Sequence, residues 1–244
     1  MNATPEHQRI LLEVADLDQR ITRAAYTAAH PPQAARVAEL TAVRQAQLRE
    51  LTALAGVRDD AQSELARVES DVALAEQRRE RDAQRLQAVT NPKDAIALEQ
   101  EIASLGQRLS SLEDTQLDAM GALEEAEAAL AAQQALIAET TAEGAELSGQ
   151  AKAGIAEAAA LGEQLARDRR AVSIGLPPEL LADYERRAQR IVPAAALLRA
   201  GTCEGCRMVL SSTDLGAIRR QDAAAIVSCP ECGAILVRTE ESGL

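Results

Sequence analysis

Thr90-Asn91-Pro92-Lys93-Asp94, followed by Leu98, Ile102, Leu105, Leu109 and Leu112, is the stretch that decides the fold. Asn91 is a good helix N-cap, Pro92 suits the first helical position, and Asp94 favours the positive helix start. The apolar residues then recur by alternating fours and threes. The rhythm continues through Ala119, Leu123, Ala126, Leu130, Ile137, Leu147, Ala151, Ala158, Leu161 and Leu165 to Val172. Sixteen of its 22 positions are apolar, without a register slip. A repeat of about 3.5 residues sustained this long implies a left-handed supercoil against a partner helix.

The partner lies upstream. Leu51, Leu54, Ala61, Leu65, Val68, Val72, Ala75, Leu86 and Val89 keep the same beat, interrupted by Arg58, Arg79 and Asp82. His7, Ile10, Val14, Leu17, Ile21, Ala24 and Ala28 form a shorter third run. The sequence therefore predicts a mainly α chain. Residues 1–175 form an antiparallel coiled-coil hairpin with its turn near 90–93. At ~1.5 Å per residue such a stalk is on the order of 120 Å long. With that turn, residue i should face roughly residue 181−i. Pro31-Pro32 breaks the first arm and faces about residue 150, between Gly144 and Gly154. That zone reads as a bend, either a hinge or a tolerated kink.

Gly175 and Pro177-Pro178 stop the second arm. A connector over 176–198 follows, with a short helix that places Leu180, Leu181 and Tyr184 on one face. Tyr184 reads as packing at this junction.

Residues 199–244 hold all four cysteines, as Cys203-Glu204-Gly205-Cys206 and Cys229-Pro230-Glu231-Cys232-Gly233. Two Cys-x-x-Cys knuckles, 22 residues apart, suit one tetrahedral zinc. Gly205 and Gly233 are expected to permit the tight knuckle turns. Short β-prone stretches surround the cysteines, and Ser212 or Thr213 can cap a small helix. The expected product is a C4 zinc ribbon with one structural Zn2+. So small a core should fold only with its metal. Four thiolates leave no open coordination position, so a catalytic zinc is not expected.

Composition narrows the function classes. The chain has no Trp or Phe and only Tyr26 and Tyr184, which argues against an ordinary thick core. The net charge of −12 repels nucleic acid and anionic membrane along most of the chain. Arg207, Arg219, Arg220 and Arg238 could still form a local basic patch on the ribbon. The ribbon lacks an aromatic residue for base stacking. His7 and His30 are far apart and neighbour no cysteine, and no Gly-rich phosphate loop exists. No enzyme is expected. The first residues show neither a basic nor an apolar signal region, and no long apolar run spans a membrane, so a cytoplasmic protein with reduced thiols is expected.

Several stretches resemble a known family. The turn Asn91-Pro92-Lys93-Asp94 runs into Ala97-Leu98-Glu99-Gln100-Glu101-Ile102. Leu112-Glu113-Asp114 and Leu117-Asp118-Ala119-Met120 follow. The ribbon carries Met208, Leu210 and Ile226-Val227-Ser228-Cys229-Pro230-Glu231-Cys232-Gly233. Together they resemble the bacterial coiled-coil hairpin proteins that end in a C4 zinc ribbon. The resemblance implies a non-enzymatic cytoplasmic protein with Cys203, Cys206, Cys229 and Cys232 as zinc ligands, and it draws attention to Lys93 at the tip. Some members act as flagellar or type III secretion accessory factors, and at least one binds mRNA. This chain has Ala234 and Val237 where the family often has Arg and an aromatic. The expected role is an adaptor or chaperone-like scaffold for a protein partner, as monomer or homodimer. Nucleic acid is the alternative partner.

Overall fold

The computed structural model describes residues 1–244. Five α-helices and four short strands follow one another. They are α1 (Pro5–Ala29), α2 (Ala34–Ala88), α3 (Pro92–Ser173), α4 (Pro178–Ala188), β1 (Ala195–Arg199), β2 (Thr202–Cys203), α5 (Ser212–Arg219), β3 (Val227–Ser228) and β4 (Ile235–Val237). A 3₁₀ turn, Glu240–Ser242, follows the last strand. The mainly α hairpin with a small C-terminal strand region is the fold the heptads and cysteines implied. The chain divides into two compact units, residues 35–148 and residues 1–34 with 149–244.

In the unit of residues 35–148, α2 and α3 run antiparallel. Arg36 pairs with Glu143 at 2.9 Å, Gln133 Nε2 donates to the Gln47 carbonyl at 2.9 Å, and Arg78 pairs with Glu101 at 2.6 Å. Each pair of residue numbers adds to 179 or 180, close to the expected register. Val68, Ala75, Leu105, Leu109, Ala119 and Ala126 are buried along the seam. Asp82 is buried there too, with Arg85 at 3.4 Å and Arg78 at 4.0 Å. The turn forms as read. Asn91 Oδ1 accepts the Lys93 N–H at 3.1 Å, and its amide donates to Asp94 at 3.0 Å.

The other unit is built around a mixed sheet of order β2-β1-β4-β3. β1 runs parallel to β4, and the outer pairs are antiparallel. Both faces are covered, which explains why Ala194–Leu198 and Ala234–Val237 read as continuous apolar runs rather than alternating ones. One face packs Ala195 and Ile235 against Leu11, Val14 and Ala15 of α1 and Leu180 and Tyr184 of α4. The opposite face packs Ala196, Leu198 and Leu236 against the metal-side cysteines and Ile218 of α5.

Two differences from the sequence reading stand out. Within the connector over 176–198 the short helix forms as Pro178–Ala188, but Ala195–Arg199 is a strand inside the ribbon sheet. The apolar run before the first cysteine is a strand because β4 supplies its ladder, with Ala195 beside Ile235, a partner far along the chain. The beginning of α1 also belongs to the ribbon's core and not only to a stalk seam. Thr4 caps α1 by accepting the His7 N–H at 3.2 Å. Before it, the Ala3 N–H donates to the Ala224 carbonyl at 2.7 Å and the Ile226 N–H donates to the Met1 carbonyl at 3.2 Å. The Gln8 amide, buried, bridges the carbonyls of Ala3 and Ala223 at 2.9 and 3.0 Å. The N-terminal residues thus act as an added strand on the ribbon's loop.

Asp18 fastens three helices. It accepts from Tyr184 Oη at 2.8 Å and from Arg169 Nε at 3.1 Å, and Arg169 also reaches Glu185 at 3.0 Å. Burial, then the hydrogen bond to Asp18, pushes the Tyr184 phenol above its ordinary value. The expected packing role of Tyr184 acquires a polar anchor.

Candidate metal centre

The two knuckles are near copies of each other. The Cys203 N–H donates to the Met208 carbonyl at 3.0 Å, and the Cys229 N–H donates to the Ala234 carbonyl at 2.8 Å. The Arg207 N–H closes back on the Cys203 carbonyl at 2.7 Å, and the Gly233 N–H on the Cys229 carbonyl at 2.9 Å. The residue after the second cysteine is left-handed in both, with φ 62° at Arg207 and φ 80° at Gly233. The first knuckle therefore places an arginine where the second uses glycine. Gly205 does not serve the turn through a left-handed backbone. Its reason is space, since a Cβ there would lie 3.0 Å from the Ala196 Cβ and 3.6 Å from the Cys203 sulfur.

These loops bring the four sulfurs within 4.8 Å of one another. Cys203 and Cys232 sulfurs are 4.0 Å apart, and Cys206 and Cys229 sulfurs 3.8 Å. A tetrahedral zinc with Zn–S bonds of ~2.3 Å requires edges of ~3.8 Å. Two of the sulfur–sulfur distances match those edges, and the cage suits one structural Zn2+. Its electrostatics without a cation are those of crowded thiols. Burial pushes Cys203 up and pushes Cys232 up to about 12, while the Met208 N–H draws Cys206 down. Zinc supplies the charge that lets all four sulfurs be thiolates together.

Helix α4 holds the second knuckle. Arg187 donates to the Gly233 carbonyl at 2.8 Å and to Ser228 Oγ at 2.7 Å. Its Nε is oriented by buried Asp183 at 2.9 Å. Neither residue was apparent in the sequence. An Asp-x-x-x-Arg pair on a short helix looks like ordinary surface pairing until its target carbonyl is known.

The basic residues singled out in the sequence separate. Arg207, Arg219 and Arg220 are exposed. Arg238 is not a free surface charge. Its guanidinium donates to the carbonyls of Asp222 at 2.6 Å, Ala225 at 2.7 Å, Ala223 at 3.1 Å, Gln221 at 3.2 Å and Ile218 at 3.4 Å. It closes the loop after α5, so its place in a binding patch is corrected to an internal one. Lys93 is exposed at the start of α3, in the unit of residues 35–148.

Residues 14–191 match the CT398-like coiled coil hairpin domain, and residues 202–236 match the C4-type zinc ribbon domain. Uncharacterized proteins of two Mycobacterium tuberculosis strains are each 32% identical over 241 residues, covering 98% of this chain and 98% of their own. A Mycobacterium smegmatis structure superposes with a TM-score of 0.80 at 28% identity, covering 98% of this chain and 100% of that one. CT398 of Chlamydia trachomatis has a TM-score of 0.58 at 18% identity over 95% of this chain and 97% of its own, a likeness of fold alone. The flagellar and secretion roles implied by the resemblance find no support among these matches. No helix is long and apolar enough to cross a membrane. The hairpin match over most of the chain and the near full-length mycobacterial relatives place it in the CT398-like coiled-coil hairpin family with a C4-type zinc ribbon.

Proposed function

We propose that this protein is a non-enzymatic, zinc-dependent adaptor that docks a protein partner on its ribbon. The observation that carries the reading is an apolar pair beside the first knuckle. Met208 is 50% exposed and Val209 74% exposed, while the next residue, Leu210, is buried. The pair is held by the Cys203–Met208 hydrogen bond and by bridge pairing of Val209 with Thr202. Large apolar side chains carried on a backbone held by the metal-organised knuckle are suited to anchor a partner, because little backbone freedom is lost on docking. Four thiolates would fill a tetrahedral ion, leaving no position for a substrate. The coiled coil would present further docking surface.

The nucleic-acid alternative is left with Arg207, Arg219 and Arg220 once Arg238 is committed to carbonyls. Their neighbours include Glu204, Asp214 and Asp222, which weaken a phosphate-attracting field. Affinity capture from the native organism should compare the unaltered chain with a Met208→Asp/Val209→Asp variant of equal zinc content. A stoichiometric protein lost with the variant supports the adaptor. Equal capture by both, or retention of nucleic acid that weakens steeply with salt, overturns it.

A further inference from the structure

An open cleft of 520 Å³ lies between the end of α1, Pro31-Pro32 and the later part of α3. It is entirely within the unit that contains the ribbon. Its origin is the helix break. A Cβ on Gly162 would lie 3.8 Å from that of Ala24, so Ala29, the last residue of α1, stands opposite about residue 157. Beyond that point Gly154 and Ala151 meet Pro31, Pro32 and Gln33 rather than another helical turn. The seam lacks a knob there. Gly154 has nothing within 4 Å of the place where a Cβ would sit, and the seam residue Leu161 is 51% exposed.

The dimensions select an occupant. From Gln150 to Leu165 the wall formed by α3 runs ~22 Å at the usual helical rise. A volume of 520 Å³ open to the centre of a water molecule, spread over that length, leaves an open groove roughly 8 Å across. A helix with side chains needs ~10 Å and does not fit. Apart from Arg20 and Arg23, an extended peptide would find hydrogen-bonding side chains only at Thr27, Gln33, Gln150 and Glu157 and would leave its N–H and C=O groups unpaired along Ala158, Leu161 and Leu165. A slim unbranched hydrocarbon fits. Arg20 and Arg23, three residues apart on α1, stand at the Leu165 end. Arg20 also reaches Asp16 at 3.5 Å, Arg23 makes no ion pair, and the one acid of the lining, Glu157, lies further along α3, away from that end. Cationic groups at one end of an apolar groove match a chain with one anionic head.

We propose that this cleft binds a long-chain fatty acid, with the acyl chain along Leu161, Ala158 and Gly154 and the carboxylate on Arg20 and Arg23. The proposal is independent of docking on the ribbon. The test uses the full zinc-loaded chain and cis-parinarate fluorescence, with displacement by palmitate below its aggregation range. The expected result is saturable one-to-one binding. Gly154→Leu fills the channel and improves helix propensity, so a folded variant with at least tenfold weaker binding is expected. Arg20→Gln/Arg23→Gln should weaken palmitate about tenfold, as for loss of a charge-assisted hydrogen bond, and leave hexadecanol unchanged. Absence of saturable binding, binding indifferent to Gly154→Leu, or equal losses for the acid and the alcohol would each overturn the proposal.

Discussion

Replacing Arg238 by glutamine should unfold the ribbon at lower denaturant, although the residue looks like a surface arginine in the sequence. The two short bonds, to Asp222 at 2.6 Å and Ala225 at 2.7 Å, are charge-assisted and close the loop after α5. A hydrogen bond to a charged group contributes ~1.5 kcal/mol or more net. Two of them give ~3 kcal/mol, and partial exposure of the guanidinium reduces this to ~2 kcal/mol. The three longer contacts add little. With a urea dependence of ~2 kcal/mol per molar for a small unit, the midpoint should fall by ~1 M. Global helicity is a poor probe, because α2 and most of α3 lie in the other unit. Zinc release, followed with a colorimetric chelator during urea titration, reports the ribbon directly. Arg219→Gln and Arg220→Gln serve as controls, since exposed substitutions usually stay within about 0.5 kcal/mol. If Arg238→Gln releases zinc at the same urea concentration as these controls, the internal role assigned to Arg238 is wrong.

The knuckles carry an opposed pair of predictions. Gly205→Ala should destabilise zinc retention by crowding Ala196. Arg207→Gly should raise stability by ~1 kcal/mol by relieving a left-handed backbone; both are read from zinc-release midpoints. Metal analysis should give one zinc per chain, and a strong chelator should expose four reactive thiols while most of the helical circular dichroism persists. Tyr184→Phe should cost ~1 kcal/mol through the lost bond to Asp18, measured as a lower melting temperature. The raised Tyr184 phenol favours the folded state at neutral pH, and this contribution is lost as pH rises above the unfolded tyrosine range of ~10. In a Tyr26→Phe background, tyrosinate absorbance should therefore appear only together with loss of structure. Deleting Met1–Ala3 should accelerate amide exchange across residues 222–226, because two backbone bonds and one partner of Gln8 disappear.

Much of the fold was legible because its physics is local. Asn91-Pro92 and the 3.5-residue rhythm specify a turn and a seam from neighbouring residues alone. The cysteine spacing specifies a four-sulfur cage in the same way. The rest of the site was not legible, because its partners are remote in the chain. Arg187 has meaning only beside the Gly233 carbonyl, and Arg238 only over the loop after α5. Gly205 read as a turn glycine, whereas Ala196 makes it a spacing glycine. Ala195–Arg199 carries no alternation, because its sheet is covered on both faces.

By itself, the amino-acid order determined a folded-back helical hairpin, its turn at Asn91-Pro92 and a sulfur cage of Cys203, Cys206, Cys229 and Cys232. Periodicity and spacing are properties of short windows, so they survive in one dimension. Only the tertiary structure decided that Met1–Ala3 and the start of α1 complete the ribbon, that β1 lies parallel to β4, and that Asp18 ties α1 to α3 and α4. Those arrangements depend on which distant surfaces bury each other and which buried carbonyls find donors, and no local pattern encodes that choice.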